Sequence, residues 1–188
     1  MAKKSKTLNH WLQTAAVRLT RVHFIYIGVY ILTTIVFDSW NLYTHEAVRQ
    51  LWTAAGVLLV INTALWFLVR QNYANKSLYV FYVLALVLAD IAFATYNVYW
   101  QQGLASKSVM LFAVPIVTAA ALRSRSTLLG TATLSAAAYS TVTVRYFFEN
   151  YGLGYRVELW GNIGFYSAVM FILALLLMVI IRPTSERF

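Results

Sequence analysis

The residue whose type and position most clearly suit it for a chemical role is Asp90. It is an acid in the middle of the apolar stretch YVLALVLADIAFATYNVYW, residues 82–100. Within this stretch, eight residues without formal charge precede Asp90 and ten follow it. A carboxyl group at the centre of a bilayer faces the interior of a helix bundle, pairs with another polar group, or is protonated. We therefore expect Asp90 to lie inside the protein and next to polar side chains.

Two asparagines are the predicted partners of Asp90. Asn97 follows it by seven residues, which places both side chains on one stripe of a helix, and Asn62 lies midway along another apolar segment. Such a group could line a ligand or proton site, or it could be an interhelical hydrogen bond typically worth about 0.6 kcal/mol. The sequence leaves both interpretations open. Further candidate partners are Thr118, Thr133, Ser135, Ser140 and Asn162.

Pro115 is the fourth residue that we assign to the predicted polar core. It lies inside the apolar segment FAVPIVTAAAL. Proline removes one backbone donor and disturbs the preceding turn, which neighbouring helices can compensate in a membrane. We expect Pro115 to let this segment bend.

Patterns typical of enzymes and metal sites are absent from the sequence. It has no Cys, and its three His lack the grouping of a metal or haem site. It has no H-E-x-x-H, G-x-S-x-G, P-loop or G-x-G-x-x-G motif. Because only one carboxyl group lies at membrane depth, an aspartyl-protease dyad is excluded. We expect no catalytic residues, no metal and no cofactor.

The composition indicates that lipid surrounds most of the chain. Hydrophobic residues make up 61% and charged residues 11%, whereas soluble domains are nearer half apolar and about a quarter charged. A spanning helix needs about 20 mostly apolar residues. The sequence predicts six such spans, at residues 22–38, 49–69, 78–100, 106–122, 127–148 and 157–181. The fourth is short, and a re-entrant segment is the alternative for it.

The positions of the charges predict the topology. With the N-terminus cytoplasmic, eleven of the fifteen cations fall on cytoplasmic segments and four on outer segments. This distribution follows the positive-inside rule, so we expect a protein of the cell membrane with both termini in the cytoplasm. A re-entrant fourth segment would leave five spans and put the C-terminus outside. The net charge of +9 is thus a topology signal, and we expect no nucleic-acid partner.

The N-terminal residues form a separate predicted element. Residues 7–21, TLNHWLQTAAVRLTR, place their apolar side chains on one helical face, as an interfacial helix does. The alternative is a polar stem that continues the first span. The expected fold is therefore all-α: a basic tail and amphipathic interfacial helix at residues 1–21, a bundle of six transmembrane helices at residues 22–182, and a cytoplasmic tail at residues 183–188.

The stretch that begins at Asp90 resembles a known family. From Asp90 through YNVYWQQGLASKSVMLFAVPIVTAAALRSRSTLLGTATLSAAAYS, it is similar to the multi-span input domains of bacterial sensor histidine kinases of the redox-sensing and pilus-regulating kinds. Those domains place an Asp in one span, then a Gly-containing outer loop, a span with a central Pro, a basic turn and a span rich in small residues. The resemblance implies a signal-input module of the bacterial inner membrane.

This sequence departs from that family in two ways. The outer loop QQGLASKS lacks the Asn-Pro-Phe through which the redox-sensing members are similar to quinone-binding proteins. No kinase region follows the last predicted span, so we expect no phosphotransfer by this polypeptide.

We therefore expect a multi-pass membrane protein that serves as a sensory or regulatory module in signal transduction of the two-component kind. It would bind a small apolar ligand or a partner's transmembrane helices. The expected partners are the lipid bilayer, a membrane or cytoplasmic signalling protein, and a second copy of the chain. The alternatives are a small-solute transporter or channel, and a structural subunit of a membrane complex.

Overall fold

The computed structural model describes residues 2–71, 73, 75–101, 103, 106–152 and 157–181 of the chain, with side chains from residue 11 onward. All the regular secondary structure in these ranges is helical. In chain order the elements are α1 (Ala2–Ser39), α2 (His45–Val69), α3 (Lys76–Trp100), a 3₁₀ segment (Lys107–Phe112), α4 (Ala113–Ala120), α5 (Arg125–Tyr151) and α6 (Val157–Ile180). The prediction of an all-α fold is confirmed.

Four helical segments are long and apolar enough to cross a membrane: Trp11–Ser39, α2, α3 and α6. Even the shortest, the 24 residues of α6, is about 36 Å long at 1.5 Å per residue. That length exceeds the roughly 30 Å hydrocarbon core of a bilayer. The protein is therefore a multi-pass membrane protein.

The other two predicted spans, 106–122 and 127–148, are not among these four. The helical part of the fourth segment, Lys107–Ala120, is about 24 Å long, because six of its residues are 3₁₀ and eight are α-helical. α5 has 27 residues, but many of them are Ser, Thr and Ala, so its composition is less apolar than that of a typical span. Four of the six predicted spans thus correspond to helices that are long and apolar enough to cross a membrane, and the prediction of six transmembrane helices is not confirmed.

α1 continues without interruption through the predicted boundary at residue 21. The proposed interfacial segment and the first span are thus parts of one helix, as in the alternative of a continuous stem. The buried residues of α1 follow a stripe at helical spacing, which includes Leu12, Ala16, Thr20, His23 and Ile27. The predicted C-terminal tail, residues 183–188, lies outside the described residues.

Hydroxyl side chains define where several helical elements begin. The Thr44 hydroxyl accepts a hydrogen bond from the Ala47 backbone N–H at 3.2 Å at the start of α2. Ser124 caps α5 in the same way, through the Thr127 N–H at 3.3 Å. Each cap satisfies a backbone donor that has no partner within the first turn of the helix.

The chain divides into two compact units, Met1–Ala89 and Asp90–Phe188, with the division inside α3. In the first unit α1 packs along α2. In the second, α5 packs against both α4 and α6, and α4 also packs against α6. Asp90, Asn97 and Pro115 therefore belong to the second unit, and Asn62 belongs to the first.

Large apolar side chains also cover the outside of the long helices. On α6, Val157, Val179 and Ile180 are each at least 74% exposed, while only Leu159, Met170 and Ala174 are buried. Water would not favour so much exposed apolar surface, whereas a bilayer covers it. The outward faces thus agree with the four apolar spans.

Candidate functional site

Asp90 lies in α3 with only 1% of its surface exposed. Its Oδ2 accepts a hydrogen bond from the Thr118 hydroxyl at 3.4 Å, and Thr118 is itself buried in α4. The bond joins two helices of the second unit at the level of the acid. Thr118 was one of several candidate partners in the sequence, but spacing along the chain does not distinguish it from the others.

The Thr118 hydroxyl has one proton and two acceptors. It also donates to the backbone carbonyl of Val114, one turn earlier in α4, at 2.9 Å. The 3.4 Å contact with Asp90 is beyond the usual range for a hydroxyl donor and is the weaker of the two. The contact between the two helices therefore depends on how this hydroxyl divides its proton between Asp90 and its own backbone.

Pro115 lies in the first turn of α4, just after the 3₁₀ segment changes to α-helix at Ala113. The first backbone N–H groups of an α-helix have no partner within that helix, so a proline here breaks no α-helical hydrogen bond of α4. Pro115 thus accompanies a change of helix type, where the sequence predicted a bend within one uninterrupted span.

Asn97 is fully buried in α3, and its side-chain amide donates to the Phe93 carbonyl at 2.8 Å. Seven residues separate it from Asp90, which corresponds to about 10 Å along the helix axis. The two side chains share a stripe but lie too far apart for a direct hydrogen bond. Asn97 extends the buried polar stripe of α3 toward the C-terminal end of the helix.

A second polar link joins the end of α3 to the fourth segment, and sequence reasoning missed it. The Ser108 hydroxyl donates to Gln101 Oε1 at 2.5 Å, and both residues are buried. Gln101 follows Asp90 by eleven residues, so it lies on the same stripe as Asp90 and Asn97. The spacing of eleven residues from Asp90 could have indicated this link. However, Gln101 lies at the edge of the predicted span, where polar residues are common and a glutamine does not indicate a buried contact.

α5 contributes a buried row of hydroxyls at Ser135, Tyr139 and Thr143, spaced four residues apart. The Ser135 hydroxyl has no hydrogen-bond partner within the part of the chain that the structure describes. The hydroxyls of Tyr139 and Thr143 are neighbours but do not form a hydrogen bond of ordinary geometry. The interior of the second unit is thus polar along α5 as well as along α3.

Two other candidate partners from the sequence are satisfied within their own helix. Thr133 donates to the Leu129 carbonyl at 2.9 Å, and Ser140 donates to the Ala136 carbonyl at 2.7 Å. Such bonds let a hydroxyl sit in an apolar environment without a partner on another helix. The fifth candidate, Asn162, lies in α6 and is partly exposed.

Asn62 makes its described contact within the first unit. It is fully buried in α2, and its side-chain amide donates to the Thr20 carbonyl of α1 at 3.0 Å. The bond ties α1 to α2 along the stripe on which they pack. The contact of Asn62 is thus an interhelical hydrogen bond, which is one of the two interpretations that the sequence left open.

A further polar cluster lies where α3 and α5 end, and we call it the Tyr99–Arg145–Glu149 cluster. The Tyr99 hydroxyl donates to Glu149 Oε2 at 2.6 Å, and Arg145 Nε donates to Glu149 Oε1 at 2.8 Å. These two donors, Tyr99 first, hold the pKa of Glu149 below its ordinary value. The Arg145 guanidinium also lies over the Tyr99 ring, 5.7 Å from its centroid.

Metal chemistry finds no support in the geometry. Within the described ranges, no three His, Asp or Glu side chains come together in a way that could hold a metal ion. The arrangement around Asp90 can donate, accept and exchange hydrogen bonds within an apolar interior.

Comparison of the chain with protein-family models, with curated proteins and with solved structures finds no match.

Proposed function

We propose that this protein is a sensory or regulatory module of the cell membrane, with both termini in the cytoplasm. It couples the binding of a small apolar ligand, or of a partner's transmembrane helices, to a change in the contact between Asp90 and Thr118. The observation that carries the proposal is this contact itself, in which a buried acid shares one hydroxyl proton with a backbone carbonyl. Ionisable groups inside a membrane are costly and are usually retained for function.

The two arrangements of the Thr118 hydroxyl supply the two states. In one state its proton is directed to Asp90 and joins α3 to α4, and in the other it is directed only to the Val114 carbonyl. A hydrogen bond of this kind contributes about 1 kcal/mol net, so a ligand reverses the preference when its affinities for the two states differ by more than this amount.

α4 is suited to report such a change. It has eight residues, it begins where the 3₁₀ segment ends, and the basic turn at residues 123–126 follows it, with Arg125 and Ser126 already in the first turn of α5. A short helix bounded by a change of helix type can shift more readily than a long continuous one. In this proposal the movement of α4 reaches the cytoplasmic signalling partner through that turn.

Two features of the sequence support this assignment. The order of features after Asp90 resembles the input domains of sensor histidine kinases, which pass a signal from the membrane to a cytoplasmic partner. The cations favour six crossings, with the segments at 106–122 and 127–148 as the fourth and fifth, because this arrangement places eleven of fifteen on the cytoplasmic side.

The test compares Asp90→Asn and Thr118→Val with Thr133→Val in membranes. The two threonines are matched because each donates to the carbonyl four residues earlier, but only Thr118 also bonds Asp90. The readout is the labelling rate of a cysteine placed at exposed Ser126, in the basic turn, with a membrane-impermeant maleimide. The chain contains no native Cys that would add background.

We expect Asp90→Asn and Thr118→Val to change the labelling rate several-fold while the unfolding temperature shifts by only a few degrees. Thr133→Val should leave both quantities unchanged. The proposal would be contradicted if the first two variants lost the folded state with no separable change in labelling, since Asp90 would then serve packing alone.

A small-solute transporter or channel is the second candidate. The observation that favours it is the set of buried polar side chains in the second unit, which comprises the stripe of Asp90, Asn97 and Gln101 and the α5 hydroxyls. Proteoliposome flux separates the two proposals. A transporter or channel would show solute or proton flux that Asp90→Asn abolishes, and a sensory module would show none above that of empty vesicles.

A further inference from the structure

A groove of about 880 Å³ opens between the second half of α3 and α5, within the second unit. Such a volume lies in the range of roughly 300–1,000 Å³ that accommodates small organic ligands. Its lining is mostly apolar and aromatic, and it includes Ala92, Tyr96, Trp100, Leu134, Ala137 and Arg145. Neither Asp90 nor Thr118 is among the lining residues, so the groove is separate from the contact between them, although it includes Tyr99 and Arg145 of the Tyr99–Arg145–Glu149 cluster.

The length of the groove matches one leaflet of a bilayer. Leu134 and Arg145 mark its extent along α5, and their separation of eleven positions corresponds to about 16 Å of helix. Half of a hydrocarbon core of about 30 Å is about 15 Å. A single acyl chain of one leaflet could therefore lie along the groove from end to end.

The end of the groove near the C-termini of α3 and α5 carries the exposed guanidinium of Arg145. The side chain of Arg145 is 68% exposed, and its Nε donates to Glu149 Oε1. The terminal N–H groups of the guanidinium therefore have no acceptor among the described residues. Both Glu149 oxygens are occupied, one by Arg145 and one by Tyr99, so the carboxylate serves to position the guanidinium. A guanidinium fork matches the geometry of a phosphate.

The aromatic side chains at this end agree with the same depth. Tyr96, Tyr99 and Trp100 line the groove on α3 near Arg145. Tyr and Trp are enriched at the level of lipid headgroups, where the ring lies in an apolar layer and the polar atom reaches water. This composition is typical of the headgroup level, and Arg145 lies among these aromatic residues at one end of the apolar groove.

We propose that this groove binds one phospholipid of the surrounding leaflet, with an acyl chain between α3 and α5 and the phosphate hydrogen-bonded to Arg145. The further statement that this lipid is the apolar ligand of the sensory module rests on the proposed function. As a lipid-binding site, the groove is measured independently of signalling. The phosphate contact distinguishes the bound molecule from the lipids that cover every apolar face.

The test measures binding of defined lipids to delipidated protein in detergent by native mass spectrometry. The probes are dioleoyl phosphatidylglycerol, dioleoylglycerol with the same chains but no phosphate, and inorganic phosphate alone. We expect phosphatidylglycerol to bind at least about tenfold more tightly than dioleoylglycerol, because charge-assisted bidentate hydrogen bonds are strong. Inorganic phosphate alone should not compete, since it does not use the groove.

Two matched pairs of variants locate the site. Arg145→Gln should weaken phosphatidylglycerol binding about tenfold, whereas Arg49→Gln, which removes an exposed arginine of α2 outside the groove, should not. Ala137→Phe should block the groove and weaken both lipids, whereas Ala168→Phe, at an alanine of α6 outside the groove, should weaken neither.

Equal binding by the Arg145→Gln and Arg49→Gln variants would overturn this site, as would equal affinity for the two lipids. Neither result would bear on the contact between Asp90 and Thr118. Conversely, if Asp90→Asn left the labelling of the basic turn unchanged, the proposed function would fail and the lipid site would stand on its own binding data.

Discussion

At the scale of single residues, the contacts between helices in the second unit include polar side chains that have few hydrogen-bond partners. Thr118 divides one proton between Asp90 and a backbone carbonyl, and Glu149 is held by Tyr99 and Arg145. Because each such group has so few contacts, removing one of them should have a measurable and specific effect. Glu149 provides a test of this point, and Gly103 tests the steric fit of the neighbouring Tyr146.

Among the glycines that the structure describes, Gly103 is the one at which a side chain is least tolerated. Its φ is 56°, and a Cβ there would collide with the ring of Tyr146, which in turn packs edge-on against Tyr99. Gly103→Ala should destabilise the protein by about 1–2 kcal/mol from the backbone conformation alone, with a further cost from displacing Tyr146. Thermal unfolding in detergent, followed by circular dichroism, measures this change.

Gly130 provides the matched control for Gly103. It lies within α5, and a Cβ added there would have open space around it, with no neighbouring atom within 4 Å. Gly130→Ala should stabilise α5 by about 0.5–1 kcal/mol, since alanine loses less conformational freedom than glycine on entering a helix. Changes of the same sign in the two variants would contradict the described conformation of Gly103.

Glu149 makes the stability of this region depend on pH. Its pKa is lowered from 4.5 in the folded protein, because Tyr99 and Arg145 donate to the ionised carboxylate. The stabilisation is therefore fully present above pH 4.5 and is lost as the pH falls through the lowered value. The difference in unfolding temperature between the unmodified protein and the Glu149→Gln variant should decrease in this acidic range. It should stay constant between about pH 6 and 8. A constant difference down to about pH 3 would show that the hydrogen bonds contribute nothing.

At the scale of the elements, α5 and α6 differ in what surrounds them. α6 has three buried residues and an apolar exterior, whereas α5 buries a polar face against α4 and α6. A helix that buries a polar face against protein does not need the composition of a helix whose surface is mostly exposed to lipid. This explains why α5 is long enough to span the membrane but falls short of the composition of the four apolar helices.

This difference predicts how the two helices behave when isolated. In a translocon insertion assay, the segment Val157–Ile180 should insert on its own, while Arg125–Tyr151 should insert poorly without the rest of the protein. The expectation follows from the favourable insertion energies of Leu, Ile, Phe and Val in α6 and their scarcity in α5. Efficient insertion of the isolated α5 segment would contradict this view of its polar face.

At the scale of the whole molecule, the sequence predicted the helical fold, the membrane environment and the stripe shared by Asp90 and Asn97. Composition accounts for the first two, and spacing along one helix determines which side chains share a face. Spacing does not determine which helices are neighbours, so it could not select Thr118 among five candidates or assign Asn62 to a contact with α1.

The remaining features depend on tertiary structure that no local pattern encodes. The link between Gln101 and Ser108 and the 3₁₀ geometry of Lys107–Phe112 arise from packing between separate segments of the chain. Apolar periodicity likewise could not separate an interfacial helix at residues 1–21 from a continuous α1, because both present one apolar face.

The central claim is that Asp90 lies within a membrane bundle whose two termini are both cytoplasmic. The most direct measurement labels single cysteines, placed at Ser5, Asp90 or Ser185, with an impermeant maleimide in vesicles of known orientation. We predict that positions 5 and 185 react only from the cytoplasmic face and that position 90 reacts from neither face until the membrane is dissolved. Labelling of the two termini from opposite faces, or free labelling of position 90, would contradict the account.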